Sequence, residues 1–138
     1  MSAKQAVIDT NVLVAAGINP AGKPAQVLGA VEQLILQPIL SADVLAEYRQ
    51  VLTRPHFRFQ PEWIDRLLDN FEALGVLLAP PPIDTAGLPD PADAPFIALA
   101  RHARCPVITG NVKHFPAKVG VVVLTPAGWV ENMGQQSG

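Results

Sequence analysis

Asp9, Glu47, Asp90 and Asp93 stand beside apolar faces or at strand ends, where an unpaired charge is costly. Asp9 interrupts the run Ala6-Val7-Ile8-Asp9-Thr10-Asn11-Val12-Leu13-Val14-Ala15-Ala16. Glu47 has Val44, Tyr48 and Val51 at i−3, i+1 and i+4, so it borders the apolar stripe of a helix. Asp93 has Phe96, Ile97 and Ala100 at i+3, i+4 and i+7, which puts it on the core-facing side of its own helix. Clustered carboxylates repel one another and raise each other's pKa values. A hard divalent cation relieves that repulsion by binding carboxylate oxygens. These residue types therefore suit a Mg²⁺ site built from one or two carboxylates, several waters and a substrate phosphate. Asn111, after Val107-Ile108-Thr109-Gly110, brings a neutral amide to the end of another strand.

The elements that must position these groups follow from the hydrophobic pattern. Val7 and Ile8 read as a short buried strand ending at Asp9-Thr10-Asn11, and ligand sites in open α/β sheets lie just outside strand carboxyl ends. Asn19-Pro20-Ala21-Gly22 is a turn. Pro24 opens a helix expected to reach about Leu36, with Val27, Leu28, Val31, Leu34 and Ile35 at helical spacing. Ile39-Leu40 is a strand, and Ser41 caps a helix over about Ala42 to Thr53. Pro61 suits the first position of a helix whose apolar face is Trp63, Ile64, Leu67, Leu68, Phe71 and Leu74, with Gly75 at its C′ position. Val76 to Leu78 is a strand, and the proline-rich segment to Pro89 is an extended connection. A helix is expected from about Pro91 to Ala103, with strands at Val107 to Thr109 and Val121 to Leu124. Thr125 caps a last helix to about Met133. Strands alternate with helices throughout, which predicts an α/β fold with a central parallel sheet covered by helices. The 138 residues fit one domain, with a core over about 5–133 and a flexible tail over 134–138.

Composition excludes several classes. The chain is 49% hydrophobic and 16% charged, as expected of a globular protein rather than a disordered one. No apolar run approaches the ~20 residues of a membrane span, and no secretory leader is expected. Cys105 is the single cysteine, so no intrachain disulfide forms, which fits a reducing, cytoplasmic location. His56, His102 and His114 lack zinc spacing. Gly17 and Gly22 match no phosphate-binding loop. A net charge of −2 means that a nucleic-acid partner needs a local basic patch. Asp90-Pro91 also reads as a helix N-cap followed by proline, and Asp93 would then be favoured by the helix dipole. Glu47 could be a solvated helix residue paired with Arg49 or Arg54. Capping is not expected to explain Asp9.

Five segments in order carry a family resemblance: Val7-Ile8-Asp9-Thr10-Asn11-Val12-Leu13; Leu40-Ser41 leading to Glu47-Tyr48-Arg49 and Val51-Leu52-Thr53-Arg54; Asp90-Pro91-Ala92-Asp93-Ala94-Pro95-Phe96; Val107-Ile108-Thr109-Gly110-Asn111; and Val123-Leu124-Thr125-Pro126. Each is weakly specific alone, but the ordered set resembles the PIN domain family of metal-dependent ribonucleases. It is most similar to the VapC-like branch described as toxins of bacterial toxin–antitoxin systems. The resemblance implies a three-layer α/β/α fold, a homodimer and an antitoxin partner. It implies a core acidic triad of Asp9, Glu47 and Asp93, joined by Asp90. Asp9 and Asp93 would hold Mg²⁺ or Mn²⁺, with Glu47 and Asp90 completing the site. In-line attack and 5′-phosphate products are further implications. The family often has aspartate where this chain has Asn111, which weakens that residue as a metal ligand and leaves a one-metal mechanism open.

RNA must be held by basic groups. Arg54-Pro55-His56-Phe57-Arg58-Phe59 alternates basic and aromatic residues, which suits phosphate contact with base stacking. The competing reading is that Phe57 and Phe59 anchor a loop to the core. Thr10 and Asn11 could orient Asp9 or contact phosphate; Lys113, His114 and Lys118 could line the same cleft. Arg101 and Arg104 are expected on the outer face of their helix. Two other functions stay open: a catalytically impaired PIN-like module that binds RNA or protein, and a phospho-acceptor domain with Asp9 as acceptor. The second leaves Glu47 and Asp93 without a role and needs a lysine where Asn111 stands.

Overall fold

A computed structural model describes residues 4–136. In chain order the elements are β1 (Lys4–Ile8), α1 (Thr10–Ile18), α2 (Lys23–Glu32), β2 (Leu36–Leu40), α3 (Ala42–Leu52), α4 (Pro61–Leu74), β3 (Val76–Leu77), α5 (Ala94–Ala103), β4 (Val107–Ile108), β5 (Val123–Leu124) and α6 (Pro126–Gln136). The five strands form one parallel sheet in the order β3-β2-β1-β4-β5, giving the three-layer α/β/α architecture expected. Register pairs Ala6 with Pro38 on one side of β1, and Ile8 with Ile108 on the other. The chain steps outward from β1 through β2 to β3, then returns to β4 on the opposite side. The topological switch point thus falls between β1 and β4, where a crevice must open at their carboxyl ends. Asp9 directly follows β1, and Thr109-Gly110-Asn111 directly follow β4.

The helix α1 is absent from the sequence reading. Its residues are apolar on every side, so no amphipathic period marks it, and Thr10, Val12 and Val14 favour a strand pattern. Burial against α2 and α3 overrides that preference. Asp9 is its N-cap, with the side chain accepting from Thr10 N at 2.8 Å. Capping therefore does account for part of the environment of Asp9. The helix α2 ends at Glu32, short of the expected Leu36. Leu34 turns into the left-handed region at φ 64°, Ile35 N donates to Ala30 O, and Leu36 joins β2 opposite Lys4.

Other boundaries follow the expected chemistry. Ser41 Oγ accepts from Val44 N at 3.2 Å, and Thr125 Oγ1 accepts from Gly128 N at 2.9 Å. Pro61 opens α4. Gly75 has an extended backbone (φ −93°, ψ −175°), so space, not a positive φ, requires glycine. A Cβ there would lie 2.5 Å from Pro38 O and 2.6 Å from Phe71 O. The helix expected from Pro91 begins as a 3₁₀ turn over Pro91–Asp93. The strand expected over Val121 to Leu124 is confined to Val123–Leu124. The helix α6 continues to Gln136, and residues 137–138 of the expected tail lie outside the described residues.

Tyr48 ties the core to the crevice. It is fully buried, meets Phe71 edge-on with ring centres 5.9 Å apart, and lies 6.3 Å from the Phe96 ring. Such aromatic pairs add ~0.5–1.5 kcal/mol each beyond their burial. Its hydroxyl donates to the carbonyl of Ile8, one residue before Asp9. Burial raises its pKa and keeps the phenol neutral. The second turn of α3 is thereby fixed to the end of β1, and Glu47 is presented beside it. Among the described residues, no helix is long and apolar enough to cross a membrane.

Candidate active site

Asp9 is 5% exposed and held by three hydrogen bonds. Oδ1 accepts from Thr10 N; Oδ2 accepts from Thr109 Oγ1 at 2.8 Å and from Asn11 Nδ2 at 3.2 Å. Burial raises the pKa of Asp9, while these bonds and the charge of His114 pull the other way. Thr109 is fully buried and spans the switch point. Besides donating to Asp9, its hydroxyl accepts from Asn111 N at 3.0 Å and from Asn11 Nδ2 at 3.2 Å. Asn11 Oδ1 in turn accepts from Gly110 N at 3.0 Å. One polar network therefore stitches the ends of β1 and β4 around the Asp9 carboxylate.

Glu47 reaches this network from α3. Its Oε2 accepts from Thr10 Oγ1 at 2.5 Å. Burial raises its pKa; the Thr10 bond opposes that, the charges of Asp9 and Asp90 raise it further, and Arg54 offsets part of the repulsion. Glu47 is thus no solvated helix residue paired with Arg49, whose guanidinium bonds Asp65 at 3.0 Å instead.

Asp93 and Asp90 enter from the 3₁₀ turn that precedes α5. Asp90 Oδ1 caps that turn by accepting from Ala92 N at 3.0 Å, as its capping reading requires. Asp93 is 8% exposed, and its pKa is pushed up to about 6, first by burial and then by the Asp9 charge. The charge of Asp90 adds to the rise, and His114 opposes it. His114 Nδ1 lies 3.1 Å from Asp93 Oδ2. One ligand atom each from Asp90, Asp93 and His114 fall within 4.8 Å of one another. That span and that donor set suit a single divalent ion.

The remaining expected contacts divide. Arg54 is exposed, and its charge reaches Glu47. Lys113 is exposed in the turn Val112–His114, and Lys118 lies near Gly87. Asn111 is exposed, with its backbone tied to Thr109. Arg58 lies apart from the acids. It lines an open groove of about 740 Å³ with Ala16, Gly17, Phe59 and Trp63, beyond the far end of α1. Phe59 packs on Trp63 with ring centres 5.1 Å apart and stacks on Phe57 at 5.3 Å, so these rings anchor the loop. Arg101 does not simply face outward, since its Nε donates to Val119 O at 2.7 Å.

A family model described as PIN domain matches residues 5–113. The chain belongs to the PIN domain family. PIN domains are generally nucleases that use a divalent metal, and the acid-rich crevice of this PIN domain has donors that fit one. The fold is also similar to a chain in the solved structure of FitAB bound to an IR36 DNA fragment. That likeness has a TM-score of 0.55 at 19% identity, covering 87% of this chain and 94% of the other. No curated protein matches the sequence.

One residue of the PIN-domain crevice, Thr109, and one partnership of an expected residue, His114, have no counterpart among the sequence expectations. Thr109 reads there only as a strand residue, although a polar side chain at a buried strand end was a usable signal. The partnership of His114 with Asp93 links residues 21 apart in sequence and has no local signature.

Proposed function

We propose that this PIN domain is a metal-dependent endoribonuclease hydrolysing RNA phosphodiester bonds, acting as the toxin of a toxin–antitoxin pair. The observation that carries this reading is the gathering of Asp9, Glu47, Asp90 and Asp93 around the β1–β4 switch point, where burial raises the pKa of Asp9, Glu47 and Asp93 and the charges of Asp9 and Asp90 raise those of Glu47 and Asp93 further. A fold has little reason to keep several carboxylates there with raised pKa values unless a cation or a cationic group joins them. Asp9, Asp93 and Asp90 would hold Mg²⁺ or Mn²⁺, with Glu47 direct or through water and Asn111 as a weak neutral ligand. When bound, such an ion neutralises phosphate charge and lowers the pKa of a coordinated water.

The chain's own residues prepare the site. Thr10 N, Asn11 and Thr109 lock the Asp9 carboxylate in one orientation. Thr10 also fixes Glu47. Arg54 and Lys113 offer cations at the rim for the RNA backbone, which suits phosphate contact without base specificity. Arg58 would meet only a longer substrate or a protein partner. Family resemblance further supports a cytoplasmic homodimer bound by an antitoxin, and FitAB on DNA is a precedent for an assembly of this fold with DNA. Asn111 favours one alternative, an impaired module that binds RNA or protein without cutting.

The test is incubation of purified protein with single-stranded RNA in Mg²⁺ or Mn²⁺, against the same mixture with EDTA. Metal-dependent fragments with 5′-phosphate ends support the nuclease. Intact RNA that nevertheless shifts on a native gel supports the binding module.

A further inference from the structure

We infer that His114 is a nitrogen ligand of the metal centre and biases it toward transition metals over Mg²⁺. The inference rests on the metal-dependent reading above and adds a donor to it. The ring is delivered by local structure. Val112–His114 is a 3₁₀ turn closed by His114 N to Asn111 O at 3.0 Å and by Phe115 N to Val112 O at 3.0 Å. Phe115 is buried and pins the turn to the core. His114 Nδ1 then stands 3.1 Å from Asp93 Oδ2, and one ligand atom from each of Asp90, Asp93 and His114 lies within 4.8 Å of the other two.

Those separations fit a coordination shell. Ligands at ~2.1–2.2 Å from an octahedral ion lie about 3 Å apart when adjacent and about 4.3 Å apart when opposed. The 3.1 Å contact therefore serves as a hydrogen bond without metal and as one edge of the shell with it. Asp90 Oδ1 is engaged by Ala92 N, which leaves its other oxygen for the ion. Imidazole nitrogen suits Zn²⁺, Ni²⁺ and Co²⁺, whereas Mg²⁺ demands oxygen. The set Asp90, Asp93 and His114 thus discriminates where an all-carboxylate set would not.

Pulsed electron paramagnetic resonance of the wild-type protein loaded with Mn²⁺ reads the nitrogen directly. Coupling of a bound ¹⁴N to Mn²⁺ is expected in the echo modulation, and its loss in folded His114→Ala assigns it. Calorimetric titration with Co²⁺ and Mg²⁺ gives the second arm. Wild type should prefer Co²⁺ by roughly a hundredfold or more, and His114→Asp should cut that ratio at least tenfold by restoring an all-oxygen set. Bound Mn²⁺ without ¹⁴N coupling would overturn the ligand role and leave the nuclease reading standing. Mn²⁺ that fails to bind wild type, or binds Asp93→Asn equally well, would overturn the metal centre itself.

Discussion

Replacing Thr109 by valine keeps the shape of a fully buried side chain and removes one hydroxyl. That hydroxyl donates to Asp9 Oδ2 at 2.8 Å and accepts from Asn111 N and Asn11 Nδ2. A hydrogen bond to a charged group contributes ~1.5–3 kcal/mol. Asn11 Nδ2 keeps Asp9 Oδ2 as an acceptor, and the N–H of exposed Asn111 can turn to water at little cost. Thr109→Val should therefore cost about 2–3 kcal/mol at pH 8. At roughly 3 °C per kcal/mol for a chain of this size, Tm should fall by about 6–9 °C. The loss must depend on pH. The pKa of Asp9 is already raised in the folded state, and the Thr109 bond limits the rise. Without it the folded carboxyl holds its proton more tightly, so stability falls more steeply as pH rises. At low pH Asp9 is neutral, and the lost bond costs only ~0.5–1.5 kcal/mol. Thermal melts of both proteins in EDTA at pH 3, below the ordinary aspartate range, and at pH 8 measure this difference. An equal loss at both values, or a loss below ~0.5 kcal/mol at pH 8, would refute the claim that Thr109 restrains a charged Asp9.

Two further outcomes follow from the same cluster. The pKa of Asp93 rises to about 6 on folding, so the native state binds more protons than the unfolded chain between its usual range and that value. Its contribution to metal-free stability is thus complete at acid pH and lost as pH rises through 6. Mn²⁺ should restore that loss, and Asp93→Asn should lack it; metal-free melts from pH 4.5 to 8 in which both proteins respond identically would contradict this. Asn111→Asp adds a hard anionic oxygen beside the cluster and should tighten Mn²⁺ binding by about tenfold, some 1.4 kcal/mol, while lowering metal-free stability. Equal affinities by calorimetry would mean that residue 111 points away from the ion.

The carboxylates are legible in the sequence because each violates its local pattern. Asp9 breaks an apolar run, Glu47 borders the apolar stripe of its helix, and Asp93 stands at helical spacing from Phe96, Ile97 and Ala100, although solvation of Glu47 and a helix-dipole role for Asp93 are open from the same residues. The parallel sheet is legible from alternation alone. What escapes is what depends on tertiary burial. The helix α1 is apolar all round, so its period is invisible until α2 and α3 are in place. Leu34 continues the helical spacing of α2, yet its left-handed backbone ends the helix. Gly75 signals a helix end correctly, but the crowding of Pro38 O and Phe71 O that requires it comes from a distant strand and a preceding turn. The bonds from Thr109 to Asp9 and from His114 to Asp93 join residues 100 and 21 apart, and only the strand order reveals them. Arg58 matches a basic–aromatic pattern that the fold directs into a different groove.

If the crevice at the β1–β4 switch point is a metal-dependent RNA-cleaving centre organised on Asp9, cleavage must need both the ion and the Asp9 carboxylate. Single-turnover cleavage of a 5′-labelled RNA by wild type and Asp9→Asn, each in Mn²⁺ and in EDTA, tests it most directly. Cleavage is expected from wild type in Mn²⁺ alone, with a loss of at least a hundredfold, about 2.7 kcal/mol in the barrier, in an Asp9→Asn protein that melts no lower than wild type without metal. Undiminished cleavage by Asp9→Asn, or cleavage by wild type that persists in EDTA, would contradict it.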